Sequence, residues 1–99
     1  MKDFNNKVAV VTGGASGVGR SLCFALGQRG AKVVVGDVDK KAMAQIAADL
    51  AEANIEAIVE HCDVTSIESL TAVADKTQEH FGSMDLVFAN AGIGAGETG

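Results

Sequence analysis

The sequence predicts an α/β fold built on a parallel, doubly wound sheet. Four short apolar runs recur along the 99 residues, and an amphipathic segment of helical length separates each run from the next. Three of the runs are almost continuously apolar, as expected for strands buried on both faces of a parallel sheet. Parallel neighbours need a crossover connection, which the intervening helices supply. The pattern β-α-β-α-β-α-β therefore indicates an open sheet with helices on both faces.

The four predicted strands are rich in Val, Ile and Phe, which favour a buried, pleated surface. They cover residues 7–12, 32–37, 55–62 and 84–90. The third run is not continuously apolar, because Glu56 and Glu60 interrupt it. We therefore expect the third strand to lie at an edge of the sheet.

Helical periodicity places one helix in each interval between strands. The first helix is predicted to end before Gly30. Its apolar face consists of Val18, Leu22, Ala25, Leu26 and Arg29. The second helix has Asp39 as a candidate N-cap. Its apolar stripe consists of Met43, Ile46, Ala47 and Leu50.

The third predicted helix has signals at both ends. Thr65 and Glu68 have the spacing of a capping box, and Gly82 ends the helix. We expect its inner face to pack on the sheet. That face consists of Ile67, Leu70, Val73, Ala74, Thr77 and Phe81.

Composition excludes several classes of protein. The formal net charge is −5 and the eight Lys and Arg residues are scattered, so no basic block predicts nucleic-acid binding. The longest early apolar run, residues 8–11, is shorter than the roughly 7–15 apolar residues of a secretory signal. We therefore expect a soluble, cytoplasmic protein that contacts no membrane. Cys23 and Cys62 are predicted to be small buried side chains rather than a disulfide.

A glycine-rich segment, residues 12–19, follows the first predicted strand and opens the first predicted helix. Its sequence is Thr-Gly-Gly-Ala-Ser-Gly-Val-Gly. Glycine lets the backbone turn tightly and approach a pyrophosphate, and a helix N-terminus presents free N–H groups to an anion. No Gly-Lys-Ser/Thr follows, so the segment is not a Walker loop. On spacing alone, the alternative is a strand-to-helix turn without a ligand.

Asp37 ends the second predicted strand, near the spacing of about 20 residues at which dinucleotide sites place a ribose-binding acid. Its carboxylate would accept hydrogen bonds from ribose hydroxyls and would repel a 2′-phosphate. Neither Ser16 nor Val38 supplies a compensating cation, and Arg20 already lies on the first helix. The sequence therefore favours NAD over NADP. The alternative role for Asp37 is helix capping beside Asp39.

Together these features resemble the short-chain dehydrogenases/reductases. Residues 12–19 match the family's Thr-Gly-x-x-x-Gly-x-Gly in full. Asp63-Val64 follows the third strand, where the family contacts the adenine ring. Asn90-Ala91-Gly92 is similar to the end of the family's Asn-Asn-Ala-Gly, with Ala89 in place of the first asparagine. Each later motif alone would suit a turn or a helix cap, but their order along the chain supports the resemblance.

The resemblance implies a partial Rossmann-type sheet with four strands in the order 3-2-1-4 and three helices. It implies that residues 1–99 are the N-terminal part of a single NAD(P)-binding domain. Its NAD(H) would lie across the carboxyl ends of the strands. The pyrophosphate would contact Gly13, Ser16, Gly17, Val18 and Gly19. The adenosine would contact Asp37, Val38, Asp63 and Val64. The nicotinamide side would contact Asn90, Ala91 and Gly92.

The family also implies an activity, the interconversion of a small alcohol and a ketone by hydride transfer. Its members often form homo-oligomers. The family's catalytic serine, Tyr-x-x-x-Lys pair and asparagine have no counterpart here, and the chain contains no tyrosine. We therefore expect an N-terminal portion without catalytic residues, inactive alone. A non-catalytic nucleotide-binding module or an inactive truncated product is the alternative.

A metal site is not expected. His61, Cys62 and Asp63 stand together, but neighbouring strand residues point to opposite faces and cannot converge on one ion.

Overall fold

Four strands and three helices alternate along the chain in the computed structural model, which describes residues 4–90. In chain order they are β1 (Val8–Thr12), α1 (Gly17–Gln28), β2 (Lys32–Asp37), α2 (Lys40–Glu52), β3 (Ala57–His61), α3 (Ile67–Phe81) and β4 (Leu86–Ala89). Each element lies where the sequence predicts it. The third strand is shorter than predicted because the Ile55 N–H donates to the Leu50 carbonyl at the end of α2 instead of joining the sheet.

The sheet is parallel throughout, in the order β3-β2-β1-β4. This confirms the predicted order and the predicted edge position of the third strand. In the register, Val10 of β1 is paired with Val34 of β2 and with Val87 of β4. Because the strands are parallel, their carboxyl ends meet at one edge of the sheet.

Alternate residues of the strands supply two separate cores. Ala9, Val11, Val33 and Val35 pack with α1 and α2, whereas Val8, Val10 and Val34 pack with Val73 of α3. Helices therefore cover both faces of the sheet, and the predicted doubly wound architecture is confirmed. None of the helices within residues 4–90 has the length and apolar character needed to cross a bilayer.

The predicted inner face of α1 is correct only in part: Leu26 is buried and Leu22 packs against the core cluster, but the other three predicted residues are exposed. The buried residues are Gly19, Cys23 and Leu26, whereas Val18 is 74% exposed. Ala25 and Arg29 are also exposed. The buried face of α1 is displaced by about one residue from the predicted face, because the helix packs on the sheet through the small residues Gly19 and Cys23. A pattern based on large apolar residues does not detect such a face.

Helix α2 follows the sequence prediction closely. Met43, Ile46 and Leu50 are buried, and Ala47 is partly buried. The Asp39 side chain accepts a hydrogen bond from the Ala42 N–H, so its predicted N-cap role is also confirmed.

Helix α3 differs from its prediction at the N-terminus. Its N-cap is Ser66, whose hydroxyl oxygen accepts from the Ser69 N–H, rather than Thr65. The Thr65 hydroxyl donates to Asp63 instead, which removes it from a capping box with Glu68.

The predicted inner face of α3 is correct only beyond the first turn of the helix. Val73 and Thr77 are buried, whereas Ile67 is 79% exposed and Leu70 is also exposed. Of the strands, α3 has most of its contacts with β2 and β3, so its first turn extends past the surface that it covers. Gly82 ends the helix in a left-handed conformation, as predicted.

Candidate nucleotide-binding site

The glycine-rich loop lies at the carboxyl end of β1, against the end of β2. The N–H groups of Gly13 and Gly14 both donate to the Gly36 carbonyl oxygen, with N···O distances of 2.7 and 3.2 Å. The chain then turns directly into α1. The loop and the last residues of β2 therefore form one hydrogen-bonded surface at the edge where nucleotides bind in open α/β sheets.

Three glycines of this loop are required by the backbone. Gly13 has φ 65° and Gly17 has φ 58°, a left-handed conformation that side chains disfavour. A Cβ on Gly19 would overlap the Gly13 carbonyl oxygen and would lie 2.8 Å from the Gly14 Cα. The start of α1 thus packs directly on the loop backbone, which only glycine allows.

The N-terminus of α1 differs from the other two helix starts within residues 4–90. Its N-cap, Ser16, makes no side-chain capping bond. The N-termini of α2 and α3 are instead capped by Asp39 and Ser66. The first N–H groups of α1 and the positive end of its dipole are therefore left for an outside acceptor, which is the requirement for binding an anion.

Asp37 lies beside this loop, half-buried at the end of β2. Its Oδ2 accepts from the Ala15 N–H at 3.0 Å. Its Oδ1 accepts from the N–H groups of Val38 at 2.7 Å and of Asp39 at 3.2 Å. The predicted ribose acid and the predicted phosphate loop are thus brought into direct contact. The side chain of Val38 is exposed next to them.

Asp63 organises the turn after β3. Its N–H donates to the Ser69 hydroxyl at 2.8 Å, and its Oδ1 accepts from the hydroxyl and the N–H of Thr65. The hydrogen bond from the Thr65 hydroxyl is the main reason that the pKa of Asp63 is lowered. These hydrogen bonds fit the alternative role of Asp63 as a turn residue, which the sequence analysis left open. Val64 is half-buried against the core cluster under α3.

Asn90 joins the end of β4 to the glycine-rich loop. Its backbone N–H donates to the Thr12 hydroxyl at 3.1 Å, and its side-chain amide donates to the Gly13 carbonyl at 3.4 Å. The structure therefore brings Asn90 to the same edge as the loop. The predicted contacts of Ala91 and Gly92 lie outside the described residues.

The Cys23 side chain forms a hydrogen bond to the backbone of the glycine-rich loop, a role that the sequence analysis did not predict. The side chain is buried, and its thiol donates to the Gly14 carbonyl oxygen, with an S···O distance of 3.6 Å. Burial raises the pKa of this thiol to about 12, against a smaller lowering effect of the Arg20 charge, so it stays protonated and able to donate. Its position one turn after Gly19 is the signal that would have identified it. The predicted burial of Cys62 is also confirmed.

One ion pair and two surface depressions lie outside this site. The Arg20 guanidinium pairs with Asp49 of α2 at 2.6 Å, which lowers the pKa of that carboxyl. A depression of about 350 Å³ lies between β3 and α3, and one of about 220 Å³ lies beside Gly27 and Asn54. Neither is lined by the glycine-rich loop or Asp37. No cluster of three potential metal ligands occurs within residues 4–90.

Known proteins match both the sequence and the fold. The profile of the family described as short chain dehydrogenase matches residues 7–99. The chain is 44% identical over 90 residues to cis-4-hydroxycyclohexanecarboxylate dehydrogenase of Sinomonas cyclohexanicum, a match that covers 91% of this chain and 36% of that protein. The chain thus spans about a third of the length of this relative.

Solved structures agree with the sequence match. A short chain dehydrogenase/reductase from Burkholderia phymatum in complex with NAD gives a TM-score of 0.84 at 38% identity, covering 88% of this chain and 31% of that one. NAD⁺-bound xylitol dehydrogenase gives a TM-score of 0.87 at 34% identity, covering 92% of this chain and 35% of that one. Because the profile match extends over nearly the whole sequence and the fold agrees with it, the chain belongs to the short-chain dehydrogenase/reductase family.

Proposed function

We propose that this chain is the NAD(H)-binding portion of an oxidoreductase that interconverts an alcohol and a ketone by hydride transfer. The observation that carries the proposal is the uncapped N-terminus of α1, which follows the glycine-rich loop and lies beside the Asp37 carboxylate. Family membership supports the oxidoreductase class. When bound, the nicotinamide would accept or donate the hydride.

The residues of the loop fit a pyrophosphate. The free N–H groups at the start of α1, those of Gly17, Val18 and Gly19, would hold its oxygens together with Ser16. The Gly13 N–H already donates to the Gly36 carbonyl, so Gly13 would contribute through the shape of the turn rather than through its N–H. A side chain on Gly19 would push the backbone of Gly13 and Gly14 away from the start of α1.

The charges around Asp37 favour NAD over NADP. A carboxylate that accepts from a ribose hydroxyl contributes on the order of 1.5–3 kcal/mol, and the same charge repels a 2′-phosphate. Arg20 is held by Asp49, so it is not a free cation for that phosphate. Lys40 and Lys41 are exposed at the start of α2, and binding of NADP would require one of them to offset the charge of the 2′-phosphate.

NAD should raise the melting temperature of the chain more than NADP does. At ten times its Kd, a ligand stabilises the folded state by about 1.4 kcal/mol, which for this chain length corresponds to roughly 6–11 °C. Asp37→Ala should erase the difference between the two nucleotides in thermal denaturation. Asp39→Asn is the matched control, because it also removes one negative charge but keeps a good N-cap. Equal shifts with both nucleotides in the unmodified chain would contradict the preference.

We also propose that residues 1–99 are the N-terminal part of a single NAD(P)-binding domain and are inactive alone. The absence of tyrosine supports this second point, and it equally suits a non-catalytic nucleotide-binding module. Incubation of the chain with NAD and a panel of small secondary alcohols should produce no NADH absorbance above a cofactor-only blank. Clear turnover would overturn the proposed inactivity and would require a proton-transfer group other than tyrosine.

A further inference from the structure

Three successive N–H groups of the glycine-rich loop are bound by the last two residues of β2. Those of Gly13 and Gly14 donate to the Gly36 carbonyl, and that of Ala15 donates to Asp37 Oδ2. The first two bonds use a backbone carbonyl that any residue at position 36 would supply. The third depends on a side chain, so it is the one contact in this series that a substitution at Asp37 removes.

The Ala15 N–H needs this partner. Ala15 is buried in the core cluster beneath α1, and a buried N–H without an acceptor destabilises its surroundings. The carboxylate satisfies it, and with its other oxygen it binds the two N–H groups that lead into α2. Asp37 thus joins the loop before α1 to the turn before α2.

We propose that Asp37 is a positioning residue for the glycine-rich loop in addition to its proposed contact with the ribose. Its carboxylate holds the loop against β2 before any nucleotide binds, so that the N–H groups at the start of α1 already face the pyrophosphate position. The loop-holding role stands on the hydrogen bonds of the Asp37 carboxylate, whereas its consequence for NAD rests on the proposed function above.

The hydrogen-bonding capacity of the carboxylate allows both roles together. An ionised carboxylate has about four acceptor positions, and three are used by Ala15, Val38 and Asp39. The remaining position, on Oδ2, can accept one ribose hydroxyl without release of the loop. Asparagine cannot reproduce this arrangement, because it has a single acceptor oxygen. If that oxygen stays on the Val38 N–H, the amide NH₂ faces the Ala15 N–H, donor against donor.

The hydrogen bond itself is measurable in the unmodified chain. In an isotope-labelled sample without nucleotide, a scalar coupling across the hydrogen bond should link the Ala15 amide nitrogen to the Asp37 carboxyl carbon. No such coupling, with couplings across the sheet detected in the same sample, would overturn the proposal. This measurement does not require any variant to fold.

Amide hydrogen exchange then tests whether the Asp37 carboxylate protects the Ala15 N–H and so holds the loop. In Asp37→Asn the Ala15 amide should exchange at least tenfold faster than in the unmodified chain. The Val33 amide, which donates to the Glu56 carbonyl within the sheet, should exchange at the same rate in both. Asp39→Asn removes the same charge two residues away and should leave Ala15 unchanged. A change at Ala15 of less than twofold in Asp37→Asn, or an equal acceleration at Val33, would contradict a specific positioning role.

These outcomes are independent of nucleotide binding. If NAD fails to bind but the Ala15 amide responds as expected, the positioning role stands and the proposed function fails. If NAD binds and the Ala15 amide does not respond, the proposed function stands and the positioning role fails.

Discussion

Gly19→Ala should abolish the rise in melting temperature that NAD causes and lower the free energy of unfolding by roughly 1–3 kcal/mol. The added Cβ would overlap the Gly13 carbonyl oxygen and lie 2.8 Å from the Gly14 Cα. These are backbone atoms, so no side-chain rotation relieves the overlap and the loop must move. The N–H groups at the start of α1 would then no longer share one surface with Asp37.

The sign of the change in the free energy of unfolding of Gly19→Ala distinguishes a steric overlap from a tolerated substitution. Alanine favours a helix over glycine by about 1 kcal/mol, so a tolerated substitution would stabilise α1. Thermal denaturation with and without NAD measures both effects, and Ser21→Ala, at an exposed position in the same helix, is the control. A variant that is more stable than the unmodified chain and keeps its NAD response would show that the close approach of helix and loop is wrong.

Leu50→Ala should lower the free energy of unfolding by about 2–5 kcal/mol. Leu50 lies near the end of α2 with its side chain fully buried, and it belongs to the core cluster to which β1, β2, α1 and α2 contribute. Its truncation removes apolar contacts and leaves a cavity under α2. Since a small domain is stable by only about 5–15 kcal/mol, this loss is a large fraction of the total.

Leu70→Ala is the matched control for this second prediction. It deletes the same atoms from α3, where Leu70 is 39% exposed, and it should cost less than half as much. Urea denaturation followed by circular dichroism gives both values. Equal losses would mean that the packing of α2 and of the first turn of α3 is not as described.

The sequence predicts the elements well because their signals are local. The apolar stripe of α2 and its cap at Asp39 follow from spacing alone, and both are observed. The face of α1 could not be predicted in the same way. It is buried through Gly19 and Cys23, whose small size permits close approach, whereas the larger Val18 is exposed. Periodicity weighted by apolar size therefore selects a face displaced by about one residue where a helix lies close to a sheet.

The same distinction applies to the site. The meeting of the glycine-rich loop and Asp37 was predictable because the carboxyl ends of parallel strands share one edge. The bonds from Gly13 and Gly14 to Gly36, and from Ala15 to Asp37, were not, because backbone N–H groups have no signature in the residue types. Asn90 was identified only through its family resemblance, and the structure supplies the contact with Thr12 that gives it a physical role.

Titration of the isotope-labelled chain with NAD, followed through its backbone amide resonances, decides whether the nucleotide binds at the carboxyl end of β1. The amide resonances of Gly17, Val18, Gly19 and Asp37 should shift, while that of His80, beside the depression between β3 and α3, should stay unchanged. Saturating NAD that leaves the first four resonances in place, or that shifts only resonances around His80, would contradict the proposed site.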